Sequence, residues 1–150
     1  MHTLRPRPQD GWVRLRPEVA ARLLAGFMAV AGAAHFVIPR TYEPLIPSML
    51  GSPRAWVLGS GVAELVCAAG LAVPRTRRVA AWVTAATFVA VFPGNVTMAV
   101  NAHERDAWFQ VVAYARLPLQ VPLIWWAVAV ARSVGRRSAR TASRLPQAAG

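Results

Sequence analysis

AWVLGSGVAELVCAAGLAV, residues 55–73, is the stretch whose reading decides the fold. It is apolar or small almost throughout and carries one carboxylate, Glu64, near its middle. A run of this length is the size of a transmembrane helix, because about 20 residues at ~1.5 Å rise cross a ~30 Å hydrocarbon core. An acidic residue at that depth costs about 2.5 to 3.5 kcal/mol to insert. Glu64 therefore has to face protein or water, needs a partner, and is the first candidate for function.

The rest of the composition agrees with a membrane class. Of 150 residues, 55% are hydrophobic and 15% charged. The formal charge is +11, and all seventeen basic residues are arginine. Arginines at the ends of apolar runs and in the tails point to a membrane surface; no basic motif interleaved with aromatics accompanies them, so nucleic-acid binding is not expected. Cys67 is the one cysteine. It allows no intramolecular disulfide and no CxxC pair, and it reads as a small buried hydrophobe.

Taken in order, residues 1–18 form a basic tail, with four arginines and no apolar core of the kind a signal peptide has, and they are expected to be disordered or interfacial. The membrane domain is expected over 19–131, with spans at 19–38, 55–73, 79–100 and 109–131. In the first span Gly26 and Gly32 offer close helix approach, and His35 lies near its far end. Pro39 stops that helix. Residues 39–54 are too short and proline-rich to span and read as a re-entrant or surface segment that caps one mouth, with Tyr42, Leu45 and Ile46 among its apolar residues. Pro93 and Asn95 in the third span suggest a kink with polar groups turned inward. The fourth span carries Arg116, Pro118, Gln120 and Pro122. Residues 132–150 form a second basic, disordered tail.

Arginine counts orient the chain. The N-terminal tail has four, the loop 74–78 three and the C-terminal tail five, against two in 39–54 and one in 101–108. By the positive-inside rule both termini and the middle loop are cytoplasmic. Depth then places the polar residues. Glu64 lies about 13 Å and Arg116 about 10 Å below the outer surface at ~1.5 Å per residue. His35 and Asn95 fall in the same outer half. A bidentate intramembrane ion pair between Glu64 and Arg116 is expected, either as a structural clamp or as the floor of a polar pocket. Arg116 shares a helix face with Gln120.

His35 alone suggests no haem site, since no second axial ligand accompanies it, and no cluster has metal-ligand spacing. Walker, GxGxxG and GxSxG motifs are absent, and the sequon at 95–97 lies inside an apolar run.

Several stretches carry a resemblance: GAAHFVIPRTYEPLIPSML, SGVAELVCAAGLAVPRTRRVAAW, FVAVFPGNVTMAV and YARLPLQVPLIWWA. Together they resemble the DoxX-like family of small bacterial membrane proteins. The most specific matches are Gly61 and Glu64, Pro93 and Asn95, and the RLPLQ run from Arg116 to Gln120. The pair His35–Phe36 before a proline-rich loop also fits. The resemblance implies an all-α four-helix transmembrane bundle of the bacterial cell membrane. Some relatives are subunits linked to thiosulfate or quinone redox chemistry, and more distant ones are assembly factors. No catalytic residue is carried over.

The expected function is an accessory, non-catalytic subunit of a membrane redox assembly. It would bind a quinone-like amphiphile in an outer-half pocket of His35, Glu64, Asn95, Arg116 and Gln120, with no covalent cofactor and no metal. The alternative is an assembly or scaffold factor that holds a membrane-protein partner or a second copy, with the Glu64–Arg116 pair as a structural clamp. A small-solute permease is a third class, and a four-helix chain would need to oligomerise to form a path.

Overall fold

The computed structural model describes residues 16–46 and 50–142, and of 136–142 only the backbone. Every regular element among the described residues is helical. Helix α1 spans Pro17–Val37, the short α2 spans Pro39–Tyr42, α3 spans Pro53–Ala72, α4 spans Arg77–Val100 and α5 spans Ala107–Ala142. Single 3-10 turns follow α2 at Glu43–Leu45 and α4 at Asn101–Glu104.

Prolines set several of the boundaries. Pro17, Pro39 and Pro53 each stand in the first turn of a helix, where the missing N–H removes a donor that would have no partner anyway. Pro39 and Pro74 follow the ends of α1 and α3, and the residues before them, Ile38 and Val73, leave the helical region. Helix α5 starts on Asp106, whose Oδ1 accepts the Phe109 N–H at 2.9 Å, an N-cap that satisfies one orphan donor.

Four helices are long and apolar enough to cross a membrane: Pro17–Val37, Pro53–Ala72, Arg77–Glu104 and Ala107–Gly135. The expected spans at 19–38, 55–73 and 79–100 each start two residues late, and the first and second run one residue past the helix end. The largest departure is at the end of the last span. The chain does not leave the helix at 131 but continues to Ala142. Ala, Arg and Ser are adequate helix formers, and Gly135 alone costs only about 1 kcal/mol, so nothing before 142 stops it. The expected disorder of the remaining tails, 1–15 and 143–150, lies outside the described residues.

Helix α1 packs along α3, α4 along α5, and α3 meets α4, while α1 and α5 touch more lightly. Helices α3 and α5 stand diagonally across the array. In a membrane, water does not drive helices together, so association rests on close packing and on interhelical hydrogen bonds. The main core reflects this, since eight of its fourteen buried residues are alanine. Many large apolar side chains point outward: Val30, Val37 and Trp125 are each more than 70% exposed, as lipid-facing residues are. Cys67 is buried in that core with its Sγ 3.9 Å from Thr87 Oγ1.

The two ends of the array differ. At one, Arg77 is buried and donates to the carbonyls of Leu71 at 2.8 Å and Ala72 at 3.0 Å, closing the C-terminus of α3. At the other, α2 and the turn Glu43–Leu45 lie over the ends of α1, α3 and α4. This is the capping segment expected from residues 39–54; its residues 47–49 lie outside the described residues.

Candidate functional site

Two polar clusters lie toward the capped end, each on its own helix pair. The first joins α1 and α3. A Cβ added to Gly32 would stand 2.9 Å from the Gly61 carbonyl, and one on Gly61 would stand 2.8 Å from His35 Cβ. The two helices therefore cross in near-backbone contact at this point. One turn further along each, at His35 and Glu64, the side chains face each other. His35 Nδ1 lies 3.2 Å from Glu64 Oε2 and 2.8 Å from the Ala31 carbonyl. The Ala31 carbonyl can only accept, so Nδ1 carries a proton and donates it there. The Glu64 oxygen is buried and receives no well-aligned hydrogen bond. The phenol ring of Tyr42 on α2 stacks on the imidazole, with centroids 4.3 Å apart and planes at 16°.

The second cluster joins α4 and α5. Arg116 Nε donates to Asn95 Oδ1 at 3.0 Å, and Asn95 Nδ2 donates to Gln120 Oε1 at 2.9 Å. Gln120 Nε2 donates in turn to the Phe88 carbonyl. The direction of the chain is forced: a guanidinium can only donate and a carbonyl can only accept, so both amides are oriented from their ends. Its terminus is one residue before Val89, whose carbonyl loses its helical donor at Pro93. Helix α4 runs unbroken through Pro93, and Asn95 faces inward at 4% exposure as the sequence suggests.

The expected ion pair between Glu64 and Arg116 is not formed. Among the described residues Glu64 meets His35, and no carboxylate lies within 4.0 Å of Arg116. Shared depth does not establish contact here, because α3 and α5 are diagonal and the polar side chains of each meet a partner on the adjacent helix. Gly26, expected to admit another helix, has no described atom within 4 Å of an added Cβ.

Arg116 also lines a cleft of about 260 Å³ at the capped end. Tyr42 and Leu45 wall it on one side and Trp108, Phe109 and Val112 on the other, with Asp106 at its edge. Asp106 is engaged as the α5 cap. Of the five expected site residues, the structure thus joins Asn95, Arg116 and Gln120 in one chain and His35 with Glu64 in another. Tyr42 links the two, stacked on His35 and lining the cleft of Arg116. Sequence reading missed Tyr42, Trp108 and Phe109 as site residues. Their only signal is aromatic character beside a proline or at a helix start, and that does not tell a cleft wall from a membrane-interface residue.

Residues 24–131 match the model of Domain of unknown function (DUF8561). The chain belongs to this family. The span that defines this DUF8561 member contains both polar clusters and the whole cleft wall. No curated protein and no solved structure matches the chain.

Proposed function

We propose that the chain is a compact four-helix bundle of the bacterial inner membrane with both termini cytoplasmic. Its role in this reading is that of an accessory subunit of a membrane redox assembly, holding a quinone-like amphiphile in the cleft at the capped end. The observation that carries the reading is the setting of Arg116. Its guanidinium is tethered through Nε to Asn95, has no carboxylate partner within 4.0 Å among the described residues, and lines a cleft walled by aromatic and aliphatic side chains. Such a site offers hydrogen-bond donors to an acceptor head group and apolar wall to the rest of the molecule. A quinone carbonyl suits those donors. The resemblance to DoxX-like proteins supports the redox setting, and the arginine distribution supports the orientation.

Titration of the purified protein in lipid nanodiscs with a short-chain quinone tests the reading, with Trp108 in the cleft wall as a fluorescent reporter. Saturable quenching is expected, and Arg116→Gln should weaken it about tenfold, the loss of about 1.4 kcal/mol that one hydrogen bond from a charged donor supplies. Quenching that never saturates, or an unchanged affinity in Arg116→Gln, rejects it.

A second reading as an assembly or scaffold factor rests on the same polar chain, which staples α4 to α5 without any ligand. It is favoured if a defined membrane partner co-purifies equally with wild type and Arg116→Gln while quinone binds neither.

A further inference from the structure

A second cleft, of about 330 Å³, lies on the other side of α2 and is lined by Val37, Ile38, Pro39, Arg40, Thr41 and Arg54. Thr41 borders both clefts and separates them. The two arginines reach it from different elements, Arg40 from α2 and Arg54 from the first turn of α3. The fold gives Arg54 one long ion pair and Arg40 no partner among the described residues. Arg40 makes no hydrogen bond or ion pair with another described residue. Arg54 meets Glu43 at 3.5 Å, long for a charge-assisted bond, and its side chain stays 59% exposed. Topology does not account for them, since the connection 39–54 lies on the arginine-poor side of the membrane in the orientation proposed above. The two guanidiniums with one carboxylate leave the cleft net positive.

The apolar wall narrows the ligand. Val37 and Ile38 close the last turn of a membrane-length helix and are 77% and 48% exposed. The cleft therefore offers exposed apolar surface beside its two guanidiniums. A free phosphate would leave that wall unused. A phospholipid uses both parts, with its phosphodiester between the planar guanidinium forks and its glycerol and first methylenes against Val37 and Ile38. We propose that Arg40 and Arg54 form a binding site for the phosphate of an anionic phospholipid.

The test uses the full chain in detergent, exchanged into mixtures of phosphatidylglycerol and phosphatidylcholine and read by native mass spectrometry. Wild type is expected to retain phosphatidylglycerol over phosphatidylcholine by about tenfold. Arg40→Gln and Arg54→Gln should each lower the preference, and the double variant should abolish it. Thermal unfolding in phosphatidylcholine alone serves as the fold control and should be unchanged, because neither arginine is buried. Equal retention of the two lipids by wild type, or an undiminished preference in the double variant, overturns the proposal. So does displacement of the lipid by millimolar inorganic phosphate, which would assign the site to a free anion. Arg116→Gln leaves this cleft intact, so quinone binding and lipid retention fail independently.

Discussion

At the scale of the residue, the polar side chains of the capped half are arranged as two separate contacts. Glu64 against His35 and Arg116 against Asn95 are distinct pairs on opposite seams. Thermodynamic cycles measured by reversible unfolding in detergent should show it. His35→Gln with Glu64→Gln is expected to be coupled by at least ~0.5 kcal/mol, while Glu64→Gln with Arg116→Leu should add within about 0.5 kcal/mol. Asn95→Leu with Gln120→Leu should show coupling near 0.6 kcal/mol, the average for interhelical hydrogen bonds in a membrane. These four residues, with Glu64, were all legible in the sequence, because an ionisable or amide side chain within an apolar run is costly and rarely idle. Their partners were not. Depth along a helix follows from counting residues, whereas a partner depends on which helices are adjacent, and counting is silent on that.

At the scale of the element, the α1–α3 crossing is set by two glycines, and the His35–Glu64 contact follows from it one turn away. Gly61→Ala places a methyl 2.8 Å from His35 Cβ and 3.1 Å from the Gly32 carbonyl. Backbone has to move, so a loss of about 1–3 kcal/mol is expected in the same unfolding measurement. Gly26→Ala is the contrast: its Cβ meets nothing, so the change should be neutral or slightly stabilising through helix propensity. Both glycines of the first span carry the same sequence signal. Helix phase alone separates them, since Gly32 faces α3 and Gly26 faces outward. The long α5 teaches the reverse point. Loss of apolar character after 131 does not end the helix, because Arg and Ser are adequate helix formers.

At the scale of the whole molecule, the two ends of the array have different characters: one carries Arg75, Arg77 and Arg78, the other the short α2 over two clefts. The proposed orientation puts the arginine end in the cytoplasm. In a Cys67→Ala background, His103→Cys should react with a membrane-impermeant maleimide on intact cells. Arg75→Cys should react only after permeabilisation. The opposite pattern would reverse the sidedness of both clefts.

The sequence by itself determined the helical class, the four membrane-length runs and the identity of the polar residues that the membrane makes expensive. Those properties depend on hydropathy, proline placement and chain length, which are local. Only the tertiary structure decided that Glu64 meets His35 and not Arg116, that Arg116 is tethered by Asn95 beside an aromatic cleft, and that Arg40 and Arg54 converge on another. Each of these depends on which helices are neighbours: Gly32 and Gly61 let α1 and α3 close on each other, α4 lies along α5, and α3 and α5 stand diagonal.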